Sequence, residues 1–336
     1  MRAPLLLAVL VGLVGCGGSD LLTPSDALRT AQALPSDFAY PAHDTVRVAT
    51  YNVENFIDAF DNPYIDNDRE DAPDPDAVAE KGRLFAEAVR TLDADVLSIQ
   101  EVESEQQLKL LADALFPEMG YRFFASTESP NWYQNVVVMS RLPLGPLTSF
   151  ADVWTPIEGQ TNDDGTPAST SLVNHRLFSV EVRAREDYTF TLVAAHMKAG
   201  RGERNEGWRL GQIDLLNAHL ASLSPEANVI VAGDLNLLPD SREYARLTAT
   251  PTMDTLAVRP LPLVDPLATR RARTPALTYT HPSDDPTRQL DYLLVSGTMR
   301  RELVPNSTQV AFPLATETLP TLSDHLPVIA TIIARE

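Results

Sequence analysis

The stretch VIVAGDLN, residues 229–236, decides how we expect the chain to fold. Its apolar run is typical of a buried strand, and the run stops at a glycine. Asp234 and Asn236 follow two residues apart, so both side chains lie on one side of the extended chain. A carboxylate at the edge of a core needs a metal ion, a proton or a hydrogen-bond partner, because burying it alone is costly. Taken alone, the stretch also fits an ordinary strand-end turn.

The same layout recurs along the chain, and this recurrence favours a functional site. Polar groups end four predicted strands and begin two more: Asn52, Glu101, His196 and Asp234 with Asn236 at the ends, and Asp291 and Asp324 with His325 at the starts. In antiparallel neighbours, the start of one strand lies beside the end of the next. All these side chains can therefore converge on one edge of the fold.

Between these strands, hydrophobic spacing predicts helices over residues 76–92 and 104–116, and another after Arg209 with Leu210, Ile213, Leu216 and Leu220 on one face. Residues 177–184 and 188–195 alternate like a β-hairpin. Residues 154–171 are rich in turn-forming types and predict a surface loop. Without strict alternation of strand and helix, the pattern favours an α/β (α+β) fold with a mainly antiparallel or mixed sheet core and helices outside.

Composition limits the functions to consider. The chain has 336 residues, 44% of them hydrophobic, and a formal net charge of -19. Such a field repels polyanions, so a nucleic-acid substrate would need a local basic patch or cations. The single cysteine excludes an internal disulfide and a Cys-based zinc site.

The first residues have the features of an export signal. Arg2 is followed by an apolar run over residues 5–14, too short to span a bilayer as a stable helix, and Cys16 follows a small residue. This end resembles the lipobox of bacterial lipoproteins, in which the cysteine is lipidated. We predict a signal peptide over residues 1–15, a flexible tether over 16–44 and one domain over 45–336. The alternative is a signal cut elsewhere, with Cys16 incidental. The expected location is outside the cytoplasm, lipid-anchored to a membrane on the periplasmic side or cell surface.

Carboxylate and amide oxygens without cysteine suit a hard ion, Mg²⁺ or Mn²⁺. Ca²⁺ is a further candidate, with Asp66, Asn67 and Asp68 in an acidic loop over residues 58–76, although we favour a solvated loop there. Carboxylates, histidines and a basic run after His196 together are typical of metal-assisted hydrolysis of a phosphate ester.

Seven motifs in order resemble the endonuclease/exonuclease/phosphatase superfamily, the DNase I-like phosphodiesterases. The motifs are YNVEN at 51–55, QEV at 100–102, SRLPL at 140–144, HMK at 196–198, GDLN at 233–236, LDY at 290–292 and SDHLPV at 323–328. The resemblance covers residue 46 to the C-terminus. It implies a four-layer sandwich, in which helices flank two mainly antiparallel or mixed sheets and the site lies at one edge.

The resemblance also implies residue roles. Glu101 and Asn52 would bind the metal, with Asp324 in support. Asp234 would orient or deprotonate the attacking water, and either Asp234 or His325 would be the base. The other expected contacts are a phosphate contact by Asn236, a phosphate contact or general acid at His196, orientation of a histidine by Asp291, and phosphate binding by Lys198, Arg201, Arg204 and Arg141.

Three functions compete. The first is an exported nuclease that cuts DNA or RNA. The second is a phosphatase or phosphodiesterase that acts on lipid-borne or small-molecule phosphates, such as a phosphoinositide, a sphingomyelin-like lipid or a nucleotide. The third is a non-catalytic binding protein, which predicts losses among the key residues; the sequence retains all of them. We expect a monomer.

Several other residues have simpler interpretations. Packing is the default for Trp132 and Trp208, and a solvated face is favoured over a nucleic-acid patch for Arg270, Arg271 and Arg273. His43, His175, His219 and His281 are treated as incidental.

Overall fold

Two β-sheets packed face to face form the centre of the protein. The computed structural model describes residues 25–29, 31–60, 62–67, 74–129, 131–249 and 262–335. The strands are β1 Ser25–Arg29, β2 Thr45–Phe56, β3 Val96–Val102, β4 Phe123–Ser126, β5 Asn135–Ser140, β6 Leu144–Ser149, β7 Thr155–Thr161, β8 Pro167–Thr170, β9 Leu177–Arg183, β10 Thr189–His196, β11 Val229–Asp234, β12 Leu263–Val264, β13 Asp291–Ser296, β14 Gln309–Val310 and β15 Val328–Ile333. The helices are α1 Pro75–Leu92, α2 Glu105–Leu115, α3 Glu203–Ser222, α4 Arg242–Thr248, α5 Ala268–Arg273 and α6 Leu319–Leu322.

Sheet one has the strand order β1-β6-β9-β10-β11-β13-β12, and sheet two has the order β14-β15-β2-β3-β5-β4. Both sheets are mixed, because β10 runs parallel to β11 and β2 runs parallel to β3. The two-residue strands β12 and β14 each lie at one edge of their sheet.

Alternating side chains divide the core into three apolar layers. Val48, Val96 and Ile230 are among the residues that pack between the two sheets. On the outer face of sheet two, Ile99 lies in the cluster formed with α1 and α2. On the outer face of sheet one, Val231 lies in the cluster formed with α3. The predicted four-layer sandwich is therefore confirmed.

Local signals explain where the first two helices begin. The side chain of Asp74 accepts a hydrogen bond from the backbone N–H of Asp76, and Pro75 occupies the first helical position of α1. The hydroxyl of Ser104 accepts from the N–H of Gln107 at the start of α2. Both helices therefore lie close to the predicted ranges.

Residues 155–170 differ from the predicted surface loop. They form the β7–β8 hairpin, which packs against α3. Gly207 and Gly211, one turn apart on α3, permit this contact, because a Cβ on either would collide with a backbone carbonyl of β7. The helix is consequently buried on two sides rather than on one apolar face.

Part of the predicted tether over residues 16–44 is also ordered. Strand β1 pairs antiparallel with β6, and Phe38 packs edge-on against Phe123 of the inter-sheet core. A strand edge and an aromatic side chain each gain by this docking, and composition alone did not reveal it. The predicted signal peptide and Cys16 lie outside the described residues, as does Asp68 of the acidic loop. Across the described ranges, no helix combines the length and apolarity that a membrane span requires.

Candidate active site

Three side chains from sheet one form a row at the edge of the inter-sheet core. His196 of β10 pairs in register with Asp234 of β11, and Asp234 pairs with Asp291 of β13. All three are buried, and they continue the inward-facing positions of their strands. Gly233 allows the close approach of β10 and β11, because a Cβ there would collide with the carbonyl of Ala195. The strand-end argument therefore placed these three groups correctly next to one another.

Sheet two contributes Asn52 and Glu101 from its facing strands. The Asn52 amide nitrogen lies 3.2 Å from Oε1 of Glu101 and 3.1 Å from Oδ2 of Asp234, and so links the two carboxylates. Glu101 adopts a left-handed conformation, with φ 62°, at a bulge in β3. A bulge redirects a side chain that regular alternation would have pointed to the helical layer. The local strain thus turns Glu101 towards Asn52.

His325 is held between carboxylates. Its Nδ1 lies 2.8 Å from Oδ2 of Asp291, and its Nε2 lies 3.8 Å from both Asp234 Oδ2 and Asp324 Oδ1. Burial alone would lower the pKa of His325, but Asp291, Asp234 and Asp324 together raise it to about 10. His325 is therefore a cation at neutral pH.

His196, in contrast to His325, is neutral at neutral pH. Burial, with a smaller contribution from the nearby Arg176 charge, lowers the pKa of His196 to about 3. Its Nε2 lies 3.7 Å from Oδ2 of Asp234 and 3.7 Å from Oε1 of Glu101. Its Nδ1 is buried and has no hydrogen-bond partner in the described part of the chain. Both imidazoles thus approach the same oxygen, Oδ2 of Asp234, although the pKa is lowered in His196 and raised in His325.

Asp234 lies at the centre of this group of side chains, in contact with Asn52, His196 and His325. Burial raises its pKa, and the charge of His325 partly offsets that effect. Its Oδ1 accepts a hydrogen bond of 2.9 Å from the backbone N–H of Asn236, which has a left-handed conformation with φ 54°. The Asn236 amide nitrogen is bound to the Met197 carbonyl at 3.2 Å.

A cavity of about 420 Å³ opens above these groups. Glu101, His196, Asp234, Asn236 and His325 all line it. Arg201 also lines the cavity, as predicted for a residue that meets substrate phosphates. The room is sufficient for a phosphate group with part of its ester.

The other predicted phosphate-binding residues are less well placed. Arg141 is at the far end of β5, where it pairs with Asp93 at 2.7 Å and stacks on Tyr121. Its assignment to the site is wrong, because β5 runs antiparallel to β3 and leaves the site at Asn135. Lys198 lies over the Trp208 ring and donates to the carbonyl of Ala199. Arg204 is exposed and does not line the cavity in the part of the chain described.

Two residues of the site were overlooked in the sequence. Gln134 donates a hydrogen bond of 2.8 Å to Oε2 of Glu101. Arg176 is buried, and its charge interacts with Glu101 and Asp234, although burial lowers its pKa to about 10. Arg176 directly precedes β9, so the rule that found Asp291 could also have found it.

His281, which the sequence gave no reason to select, also belongs to the site. Its ring packs edge-on against His325 at 4.8 Å, its Nε2 lies 3.2 Å from Asp324 Oδ2, and Arg288 Nε donates to its Nδ1. It comes from a loop, so no strand end marks its position.

The donor set fits a hard divalent cation. Glu101 and Asp234 provide carboxylate oxygens at the cavity, with Asn52 in contact with both, and Asp324 adds a carboxylate next to His281 and His325. The ligand atoms of Asp234, Asp291 and His325 lie within 4.8 Å of one another, as do those of His281, Asp324 and His325. The predicted ligands divide accordingly: Asn52 contacts Glu101, whereas Asp324 contacts His281.

Comparison with known proteins defines the class. Residues 49–325 match the Endonuclease/Exonuclease/phosphatase family, and the chain belongs to it. The family acts on phosphoester bonds, which makes the protein a phosphoester hydrolase of DNase I-like fold.

Solved structures share this fold at low identity. The human nocturnin catalytic domain with bound sulfate is 19% identical; the match covers 89% of this chain and 97% of the nocturnin chain, with a TM-score of 0.56. An AP endonuclease from Archaeoglobus fulgidus is 15% identical, with 85% and 99% covered and a TM-score of 0.54. An endonuclease/exonuclease/phosphatase from Beutenbergia cavernae is 18% identical, with 87% and 72% covered and a TM-score of 0.53. No relative was found among curated proteins.

Proposed function

We propose that the protein is a Mg²⁺-dependent phosphodiesterase, and specifically an extracytoplasmic endonuclease. One observation carries this proposal: the buried carboxylate of Asp234, which lines the cavity, lies within 3.8 Å of Nε2 of both His196 and His325. Such an arrangement separates a proton acceptor from a proton donor at the same reaction centre.

The charge states suggest which group does what. His325 is protonated at neutral pH, so it can donate a hydrogen bond or its proton to a phosphate oxygen. This supports Asp234, rather than His325, as the base for the attacking water. Asp291 holds the Nδ1 of His325 and fixes which nitrogen faces the cavity. The neutral His196 can contact the phosphate from the other side.

Glu101 and Asn52, with Asp324 in support, would hold the metal ion. When bound, Mg²⁺ (or Mn²⁺) supplies positive charge against the phosphoryl and leaving oxygens. Arg176 supplies a buried positive charge that interacts with Glu101 and Asp234, and Arg201 supplies one in the lining of the cavity. These local cations answer the objection that a chain with a net charge of -19 repels a nucleic acid.

A phosphatase or phosphodiesterase acting on lipid-borne or small-molecule phosphates is the second candidate. The acidic overall charge favours it, because a small ester feels the local cations more than the distant field.

The test is nicking of supercoiled plasmid in Mg²⁺ by the wild-type chain, with and without EDTA. Asp234→Asn should lower the rate by at least about 100-fold. Asp240→Asn, an exposed aspartate six positions further on, serves as the matched control and should leave the rate unchanged. Plasmid that stays intact with folded protein would contradict the endonuclease, and release of phosphate from small or lipid esters would then support the second candidate.

We also propose that Cys16 carries a lipid that holds the enzyme, as a monomer, at a membrane outside the cytoplasm. The lipobox-like sequence before Cys16 supports this location. Metabolic labelling with a radioactive fatty acid should mark the wild-type chain but not Cys16→Ser. Equal labelling of both would contradict the anchor.

A further inference from the structure

We propose a second anion site, remote from the active site, in which Arg270, Arg273 and Arg300 hold a phosphate-bearing ligand. It occupies a groove of about 680 Å³ lined by α5, by the 3₁₀ turn Met299–Arg301 and by residues 303–308. The proposal is independent of the hydrolytic activity.

The groove lies beside β12, at the edge of sheet one. Strand β13 begins at Asp291 in the active site and ends at Ser296, which pairs with Leu263 of β12. Val264, the next residue of β12, lines the groove. Val264 pairs with Val295, four residues from Asp291, which corresponds to roughly 13 Å of strand, so the groove is separate from the active-site cavity.

Three arginines from two elements line this groove. Arg270 and Arg273 are three residues apart on α5 and so share a face, and Arg300 comes from the 3₁₀ turn. None of these three guanidinium groups has a hydrogen bond or ion pair within the described ranges of the chain. Among the described residues, most of the other arginine side chains have a partner; Arg83, Arg122 and Arg242, for example, all pair with carboxylates.

Two neighbouring carboxylates, those of Asp265 and Glu302, already have partners. Asp265 lines the groove, but its oxygens accept from Arg271 at 2.7 Å, from the Tyr244 hydroxyl at 2.9 Å and from the Leu267 N–H at 2.8 Å. Glu302 accepts from the hydroxyl of Tyr188 and from the amide of Asn228. The three arginines therefore retain their full charge towards a ligand.

The lining indicates the chemistry of that ligand. A guanidinium group can bind two oxygens of a phosphate through two parallel N–H···O hydrogen bonds. Several such groups together favour an anion that carries more than one charge. Thr269, Thr274 and Asn306 add hydroxyl and amide donors, while Leu303 offers an apolar contact. A phosphate-bearing anion fits, either a soluble phosphate or the headgroup of an anionic phospholipid.

The experiment measures binding without turnover. The full chain carrying Cys16→Ser, which prevents lipidation, is titrated with inorganic pyrophosphate in EDTA by calorimetry. Sedimentation with phosphatidylglycerol vesicles, compared with phosphatidylcholine vesicles, forms the second arm. The test variant is Arg270→Gln/Arg273→Gln/Arg300→Gln. The matched control is Arg83→Gln/Arg122→Gln/Arg242→Gln, which removes the same charge from arginines that are paired.

We expect the test variant to bind at least about tenfold more weakly in one arm or both, while the control binds as the parent does and both keep the parent's melting temperature. Loss in the pyrophosphate arm identifies a soluble phosphate, and loss confined to the phosphatidylglycerol arm identifies a lipid headgroup. Equal binding by test variant and parent in both arms, or no binding by the parent in either, would overturn the proposal. Because no substrate is turned over, neither result depends on the proposed nuclease activity.

Discussion

His196 and His325 flank the same carboxylate, yet their pKa values move in opposite directions. Both rings are buried, which by itself lowers the pKa of a histidine. The difference comes from the Nδ1 atoms: that of His325 is bound to Asp291, whereas that of His196 is buried without a partner among the described residues. The charges of Asp291 and Asp234, together with this hydrogen bond, raise the pKa of His325, whereas burial and the Arg176 charge lower that of His196.

This assignment predicts the effect of Asp291→Asn. The amide keeps the size of the carboxylate but removes its charge, so the pKa of His325 should fall and hydrolysis at pH 8 should drop by at least about 100-fold. In the pH–rate profile, the fall in rate at basic pH should begin at a lower pH than in the wild type. An unchanged profile, with the same melting temperature, would show that Asp291 does not set the charge of His325.

A second residue-scale prediction concerns stability in acid. Burial lowers the pKa of His219 to about 4, below the ordinary value of 6.5 expected in the unfolded chain. Between pH 6.5 and 4 the unfolded state therefore binds the proton first, and stability falls as the pH falls. The wild type should lose about 2 kcal/mol of unfolding free energy from this group between pH 7 and pH 5.

Urea denaturation at both pH values checks this linkage. His219→Gln should show a smaller pH dependence than the wild type, since its side chain cannot titrate. His43→Gln, at an exposed position, provides the control and should behave as the wild type does. A pH dependence of equal size in all three proteins would contradict the linkage.

Prediction from sequence worked best for side chains that end strands. Asn52, Glu101, His196 and Asp234 could be placed together because a strand's direction fixes where its last side chain lies. The bulge that turns Glu101 inward was not predictable, since bulges depend on the pairing register. His281 was missed because only tertiary packing brings its loop to His325.

At the scale of elements, strand direction explains the error at Arg141. Ser140 pairs with Val96, at the start of β3, while Asn135 pairs with Val102 near the site. Arg141, which follows the C-terminal end of β5, therefore lies at the edge of the sheet opposite to the active site. The β7–β8 hairpin was missed for another reason: its proline and glycine residues resemble a loop, and its packing surface is visible only against the glycines of α3.

These glycines give a prediction for the hairpin. Gly211→Ala should destabilise the protein by about 2 kcal/mol, because the new methyl group meets the carbonyl of Pro156 rather than a side chain that can move. Gly82→Ala in α1 is the matched helical control, since its Cβ would meet only leucine side chains at 3.4 Å or more. That change should be neutral or slightly stabilising.

Urea midpoints of the two variants measure the difference. A Gly211→Ala protein as stable as Gly82→Ala would mean that the hairpin can move away from α3 at no cost, and that it does not belong to the core.

For the whole molecule, the excess of negative charge has a consequence for stability. A net charge of -19 repels itself in the compact state, and salt screens that repulsion. Raising NaCl from about 10 to about 150 mM shortens the screening length from about 30 to about 8 Å, so the melting temperature should rise. The rise should shrink at pH 5, where more carboxylates are protonated. A fall with added salt at pH 7 would mean that attractive ion pairs outweigh the repulsion.

The two-residue strands β12 and β14 bear on how neighbouring copies behave. An outermost strand presents unpaired N–H and C=O groups that another chain can extend into a continuous sheet. Because each of these edge strands has only two residues, each offers few such groups to another chain, so neither sheet is easily extended at this edge. The short edge strands β12 and β14 thus disfavour fibre-like aggregation at these two sheet edges.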